Sequence, residues 1–487
     1  MSLRLSELVR RDLDVDPVIA GVTADSRKVA PGFLFAALPG SKADGGAFAP
    51  GAVSAGAVAV LGGRPFAELG VPVIVTPDPR RAYALAAAAF HGRQPKTCVA
   101  VTGTNGKTSV AGFCRQIFSH AGLKAASMGT LGVRISPPAG QGEEEQVTPP
   151  GLTTPDAADV AELLARLAAK DVTHLALEAS SHGVDQRRLD GVSLTAAGFL
   201  NLTQDHLDYH GTMGVYRAAK LRLFETLLPR GATAVLNADS DSYPAFAAAA
   251  VSAGQSIVSV GEAGQGIRLV ARKPTPEGQI LKVALDGATH EVRLPLAGGF
   301  QASNALVAAG LCLAADVKRD DILAALETLE GAPGRLQRVG AGVNGGEAYV
   351  DYAHTPDGLE TVLKALRPHV RGRLIVVFGA GGDRDRTKRP IMGRVAGELA
   401  DVAIVTDDNP RSEDPAAIRA EVRAGAASLT EIGDRRAAIR AAAAMLAEGD
   451  VLVVAGKGHE QGQTVAGVVH PFDDVEETFA ALGRADG

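Results

Sequence analysis

The sequence predicts an α/β protein of three domains. These are a small N-terminal α/β domain over 1–95, a central P-loop-type parallel-sheet domain over 96–332, and a C-terminal Rossmann-like α/β domain over 333–487. Three observations carry this. At 487 residues the chain exceeds what one hydrophobic core usually supports. Short apolar runs alternate with Ala-rich stretches, the pattern of parallel βαβ units. That alternation breaks twice, at HGRQPK (91–96) and near EGAPGRLQRVG (330–340).

In order, FLFAAL, AVAVLGG and VPVIVT are the strands of the first part. The second opens with the strand TCVAVTG, and its segment 137–151, rich in Pro, Gly and Glu, is expected to be an exposed loop. In the last part AYVDY, RLIVVFG, VAIVT and VLVVAG are strands between helical stretches rich in Ala and Arg. Ligands of such sheets bind beyond the carboxyl ends of the strands.

Lys and Arg number 49 against 55 Asp and Glu, a net charge of −6. This argues against a binder of phosphate backbones but leaves a nucleotide substrate open. Cys98, Cys114 and Cys312 are scattered. They imply neither a disulfide framework nor a structural zinc site, and they fit a reducing cytosol. The N-terminal MSLRLSELVRRDLDVD lacks the apolar core of a signal peptide, and no apolar run approaches the ~18 residues of a membrane helix. A cytoplasmic monomer is expected, with small-molecule substrates and with neither nucleic acid nor membrane as partner.

The strongest local signal is TGTNGKTS at 102–109, leaving an apolar strand and entering a helix near Ser109. Gly103 and Gly106 let the backbone of Thr104 and Asn105 turn its N–H groups inward. Lys107 suits β/γ-phosphates and Thr108 suits Mg²⁺, at the positive end of a helix. The strict pattern has glycine where Val101 stands, so this is a shortened variant. Glu178, at the end of HLALE, would face that loop and could hold Mg²⁺, although a strand-end Glu taken alone reads as exposed. In FLNLTQDHLDYHGTMGVYRAAK (199–220), His206 and His210 have the spacing of a zinc pair, but neither an HExxH pattern nor further ligands accompany them. Lys220 by itself reads as a solvated helix lysine.

With QASNALVA (301–308), GRLQ (334–337) and DYAHTPD (351–357), these motifs resemble the Mur ligases, a family related to the folylpolyglutamate synthetases. The resemblance runs over essentially the whole chain, with the motifs in order. It implies ATP on the glycine loop, with Asn304 at the adenine, Arg335 at the phosphates, Asp351 at the ribose hydroxyls and His354 near the phosphates. It further implies that CO₂ converts Lys220 to a carbamate which, with His206, helps position a second Mg²⁺. Such a lysine must be neutral when CO₂ attacks, hence of depressed pKa.

TADSRKVAPGFLFAALPG (23–40) and SKADGG (41–46) are similar to the uridine-diphosphate domain of the diaminopimelate-adding branch. There Ser26 and the loop Ser41, Lys42 and Ala43 would bind the nucleotide. Thr153, Thr154, Ser180, Gln186 and Arg188 would contact sugar and diphosphate. The Thr-Thr-Pro-Asp run is equally a helix start, with Thr154 as N-cap, Pro155 first and Asp156 in the first turn.

Three C-terminal strands end in polar loops that could converge: FGAGGDRDRTKRP, VTDDNPRSEDP and AGKGHEQG. Asp408-Asn409-Pro410-Arg411 resembles that branch's motif for meso-diaminopimelate. Arg411 would grip the distal carboxylate, Asn409 would bond to the same end, and Arg384, Gly456 and Glu460 are further matching positions, Glu460 for the distal ammonium. Lysine lacks that carboxylate, and stranding a buried Arg411 costs about 3–5 kcal/mol, so diaminopimelate is favoured roughly 10²–10³-fold. By itself the motif is also an ordinary Asx-Pro turn.

The implied reaction is the ADP-forming addition of meso-2,6-diaminopimelate to UDP-N-acetylmuramoyl-L-alanyl-D-glutamate, through an acyl phosphate, for peptidoglycan precursors. Lysine-adding, dipeptide-adding and folylpolyglutamate ligases are the alternatives within the class, and a silent nucleotide-binding module is the one outside it. A silent module should have lost Lys107, Glu178 or Lys220, and all three are present.

Overall fold

The structure is a computed structural model and describes residues 3–40, 44–66, 69–146, 152–275 and 277–483. The chain separates into two compact units, Met1–Gly266 with Val307–Ile322, and Ile267–Leu306 with Leu323–Gly487.

The first unit opens with a parallel four-stranded sheet in the order Gly21–Thr23, Phe33–Ala37, Ala57–Gly62, Val73–Val75. The last three are the expected strands. The helix Pro79–His91 packs its Tyr83, Ala84 and Ala87 against Leu34, Ala59 and Leu61 of that sheet. Asp78 caps it, Pro79 pre-sets its first turn, and Gly92 ends it at φ 72°. The sequence break at HGRQPK is therefore the end of a helix.

Next come six parallel strands in the order Ala125–Gly129, His174–Glu178, Thr97–Thr102, Ala196–Phe199, Thr233–Asn237, Ser256–Gly261. Their near-continuous apolar character is what burial on both faces requires. The strand Gly132–Ser136 adds antiparallel at the edge, and Glu145–Gln146 pairs with it in turn. Part of the segment expected as loop is thus an exposed edge strand; 147–151 lies outside the described residues. Thr97–Thr102 has neighbours formed later in the chain on both sides, so the order reverses around it. In doubly wound sheets ligands bind at such a reversal.

In the second unit Ile267–Thr275, Gly278–Leu285 and Ala288–Leu294 form an antiparallel ladder. A six-stranded sheet follows, in the order Gln337–Ala341, Glu347–Asp351, Val451–Ala455, Leu374–Phe378, Val402–Val405, Thr430–Glu431. All but the first run parallel, and all four expected strands are among them. Asp351 stands opposite Ala455, and Phe378 opposite Val405. The carboxyl ends are therefore level, and the loops that leave them share one edge. A separate hairpin pairs Gly462–Val465 with Val468–Pro471. Among the described residues no helix is long and apolar enough to cross a membrane.

Candidate active site

The strand Thr97–Thr102 feeds the turn 103–106, where Gly106 takes φ 90°, a left-handed conformation that strains other residues. The helix then runs Lys107–His120, two residues earlier than expected. Asn105 and Asn201 lock the turn reciprocally: the Asn105 amide donates to Asn201 Oδ1 at 3.0 Å, and Asn201 Nδ2 donates to the Asn105 carbonyl at 3.2 Å. Lys107 Nζ donates to the carbonyls of Gly103 (3.0 Å) and Thr104 (2.9 Å). Ser109 is buried in the helix behind.

Glu178 lies level with Val101 on the adjacent strand and is buried, which corrects the exposed reading of a lone strand-end carboxylate. The Thr130 amide donates to its Oε1 at 2.8 Å, and Gly129 offers no side chain where a Cβ would overlap it. Burial pushes its pKa up, against the opposing pull of Lys107, the Thr130 amide and the Thr108 hydroxyl. A hydroxyl and a carboxylate beside a phosphate-type turn form an oxygen donor set of the kind a hard divalent cation takes.

Lys220 is 1% exposed, so the reading of it as solvated is wrong. Its helix, Met213–Arg222, turns this residue inward with Tyr216 and Ala219. Nζ donates to the Gly103 carbonyl at 2.7 Å and lies 4.6 Å from the Tyr216 ring centroid. Burial, then Lys107, hold its pKa well below the ordinary lysine value. His206 precedes a short helix at φ 53° with Nε2 3.4 Å from Asp205 Oδ2. His210 is buried, with Nε2 3.0 Å from the Ser181 hydroxyl, and its ring, like that of His206, packs beside His182 and Tyr216.

Four of the residues matched to the sugar and diphosphate come together. Thr154 Oγ1 lies 2.9 Å from Ser180 Oγ, while Arg188 donates to the Thr154 carbonyl (2.6 Å) and to Gln186 Oε1 (2.6 Å). Thr153 reaches the Thr130 hydroxyl at 3.1 Å, one residue away from the Glu178 cradle. The expectation of Thr154 as helix cap is corrected. The helix is Ala157–Ala169 and Asp156 caps it, because the Thr154 hydroxyl is engaged by the Glu178 carbonyl and Ser180. Ser26 starts a 3₁₀ turn capped by Asp25. It lines a cavity of about 830 Å³ with Thr23, Tyr83, His91, Asp156 and Glu162, within the size range of small-molecule sites. Ser41, Lys42 and Ala43 lie outside the described residues.

In the second unit Asn304 is buried, which corrects the surface reading of an amide in an Ala-rich helix. Its Nδ2 donates to Gln301 Oε1 at 3.0 Å. The Arg335 guanidinium stacks over Tyr352 at 4.7 Å. Asp351 accepts from the amides of Leu336 (2.7 Å) and Ala353 (2.8 Å), and burial still pushes its pKa up. His354 is exposed, with Nδ1 2.9 Å from the Tyr352 carbonyl oxygen.

The three C-terminal loops do converge. Asn409 Nδ2 donates to Glu460 Oε2 at 2.9 Å. Arg411, at φ 53°, donates from Nη1 to the Gly382 carbonyl at 2.7 Å, and its backbone bridges to the hairpin at Thr464 and Ala466. Asp408 and Pro410 are buried between them, and the Gly456 amide donates to the Asp351 carbonyl. The Asn409 side chain bonds across loops, so this is no self-contained Asx turn. Arg384 stands exposed, its guanidinium 3.4 Å from the Asp383 carbonyl. Sequence reasoning missed Thr130, Tyr209 (which accepts from Gln186 at 3.1 Å), Gln301, Lys388 and Lys457. Only the two lysines carried a signal, as cations in the same polar loops.

A phosphate-type turn at a sheet reversal, followed by a second α/β sheet with a charged loop cluster, defines a multidomain nucleotide-binding protein. Residues 18–93 match the Mur ligase family catalytic domain, 101–312 the Mur ligase middle domain, and 334–458 the Mur ligase glutamate ligase domain. The chain belongs to the Mur ligase family, with its three domains in a mixed α/β fold. A Caulobacter vibrioides protein named UDP-N-acetylmuramoyl-L-alanyl-D-glutamate–2,6-diaminopimelate ligase is 71% identical over the full length of both chains. An Agrobacterium fabrum protein of the same name is 55% identical over 96% of this chain and 94% of its own. A solved structure so titled is 35% identical, with TM-score 0.80 over 99% of both chains. MurF from Acinetobacter baumannii, at 20% identity and TM-score 0.59 over 95% and 97%, shares the fold.

Proposed function

We propose that the protein is an ATP-dependent, ADP-forming ligase that adds meso-2,6-diaminopimelate to UDP-N-acetylmuramoyl-L-alanyl-D-glutamate in peptidoglycan precursor synthesis. The observation that carries this reading is the full-length 71% identity to a relative bearing that name, in a chain whose Asn409, Arg411 and Glu460 loops converge. We assign domain edges near residues 95 and 332, with nucleotide-sugar binding, ATP binding and amine-donor binding following in that order.

In this reading the glycine turn and Lys107 hold the ATP phosphates, with Asn304 assigned to adenine, Asp351 to ribose, and Arg335 and His354 to phosphates. Ser26 and the loop 41–43 take the uridine end, and Thr153, Thr154, Ser180, Gln186 and Arg188 the sugar and diphosphate. Thr108 and Glu178 would hold Mg²⁺, with His206 and a carbamate on Lys220 for a second ion; bound there, Mg²⁺ neutralises charge on the transferring phosphoryl group. The buried Lys220 amine, its pKa lowered, is suited to attack CO₂ while neutral.

The glutamyl γ-carboxylate attacks the γ-phosphorus, forming an acyl phosphate as ADP leaves, and Lys107 stabilises the developing charge. The amine of diaminopimelate then attacks the acyl carbon, and phosphate departs from the tetrahedral intermediate. Arg411 takes the donor's distal carboxylate, with Asn409 at the same end and Glu460 at the distal ammonium. Asp408, Pro410, Arg384 and Gly456 shape those loops. Phosphate release and product mass, measured with the muramoyl dipeptide, ATP and Mg²⁺ plus diaminopimelate, lysine or D-alanyl-D-alanine, test the reading. Product is expected with diaminopimelate; turnover confined to lysine or the dipeptide would overturn it.

A further inference from the structure

We propose that Lys457 is a positioning residue of the amine-donor pocket: its buried ammonium fixes Asn409 and Glu460, and through them the selection of a donor with distal ammonium and carboxylate. This rests on the reading of these loops as that pocket. Lys457 follows the strand Val451–Ala455 and is 0% exposed, so it acts on a donor only through its neighbours. Nζ donates to Asn409 Oδ1 at 3.0 Å and lies 3.7 Å from both Asp408 Oδ1 and Glu460 Oε2.

A second donor, the Thr464 amide, meets the same Asn409 oxygen at 2.9 Å. Rotating the amide would set its NH₂ against an ammonium and an N–H, so its orientation is fixed. Nδ2 must therefore face Glu460, where it donates at 2.9 Å. Glu460 is held from two sides, by that amide and by the Lys457 charge.

The charges around Lys457 give the arrangement its sense. Arg435 is committed to Asp474 at 2.6 Å, both fully buried. Lys457 stands between two carboxylates, Asp408 and Glu460, and the Arg435 charge reaches both as well. Glu460 is the more open of the two, its side chain 37% exposed against 6%. The pocket thus presents an accessible carboxylate, on a side chain held in place, to an incoming ammonium. Without Lys457 the two carboxylates repel, and Glu460 has solvent to turn into.

The test compares wild type, Lys457→Met, Glu460→Gln and the double variant. For each, KM is measured for diaminopimelate, ATP and the muramoyl nucleotide, and the kcat/KM ratio of diaminopimelate to lysine is determined. Lys457→Met is expected to raise KM for diaminopimelate about tenfold or more, to narrow the ratio by a similar factor, and to leave the other two KM values within about twofold. In the Glu460→Gln background most of that effect should vanish. An unchanged KM for diaminopimelate, a shift of all three KM values together with kcat, or an undiminished effect in the double variant would each overturn the proposal. If Lys457→Met does not fold, Lys457→Gln is judged by the same criteria; if neither folds, Lys457 is structural and the proposal falls. Failure of the underlying reading looks different: wild type itself forms no product with diaminopimelate, and the proposal falls with it.

Discussion

Lys107 and Lys220 donate to the same acceptor, the carbonyl oxygen of Gly103, at 3.0 and 2.7 Å. Two ammonium groups on one carbonyl repel, and burial sharpens the repulsion by removing water. The deeper of the two, Lys220, yields: burial first, and then the Lys107 charge, depress its pKa. As a carbamate it would be an anion, and the repulsion would become attraction to Lys107.

The proposed carbamate on Lys220 can be tested directly. Protein equilibrated with ¹³C-labelled CO₂ should show a carbamate carbon resonance that disappears in Lys220→Arg, whose guanidinium stays charged and does not attack CO₂. The same variant should lose ligase activity. An identical resonance in wild type and variant would place the carbamate on another amine.

Replacing Lys107 by alanine removes the cation bonded to two carbonyls of the glycine turn while leaving the Asn105–Asn201 lock in place. Loss of one preorganised charge-stabilising donor costs about 10²–10³-fold in kcat. Phosphate release at saturating substrates measures it, and the unfolding midpoint should stay near that of wild type. Full activity in the variant would remove Lys107 from the mechanism.

Arg411 is half-buried rather than buried, so Arg411→Ala should narrow the preference for diaminopimelate over lysine by roughly 10–10²-fold, the loss of a hydrogen-bonded partner for the distal carboxylate. The measurement is the ratio of kcat/KM for the two amines. An unchanged ratio would move the specificity determinant elsewhere.

Much of this was legible locally. The apolar strands, the glycine turn and the polar loops after the C-terminal strands are short-range patterns, and each lies where it was expected. Lys220 was not, because nothing in GVYRAAK reveals that its helix packs that face inward. Asp156 rather than Thr154 caps its helix because of a partner 24 residues on, the Glu178 carbonyl. The strand Gly21–Thr23 is too short to read. The hairpin 462–471 turns through Ala466 and Gly467 at φ 49° and 80°, without the Asn-Gly or Asp-Gly that marks such turns. Lys457 was invisible as a contact because its partners arrive from residues 408–409 and 464.

The pair Arg435–Asp474 is fully buried and two-pronged, at 2.7 and 2.6 Å. Asp474→Ala leaves a guanidinium uncompensated in the second unit and should cost about 3–5 kcal/mol. Urea unfolding measures it; a loss below about 1 kcal/mol, the range of exposed pairs, would show that Arg435 finds another acceptor.

His369 predicts a stability that depends on pH. Its ring is buried; Nε2 accepts from the Gly298 amide at 2.9 Å, which leaves Nδ1 to donate to the Thr275 carbonyl at 2.8 Å. That arrangement requires the neutral ring, and burial lowers its pKa below the ordinary 6.5 against the opposing pull of the Thr275 and Gly278 backbone. The unfolded chain therefore takes the proton more readily than the folded one. The contribution is complete above about pH 6.5 and is lost as pH falls through the lower folded value. His174, His182, His210 and His459 are also lowered by burial, so the comparison must be with a variant. Between pH 7.5 and 5, urea midpoints of wild type should fall more steeply than those of His369→Phe, which begins less stable but has lost this titration. Parallel slopes would show that His369 takes up its proton without disturbing the fold.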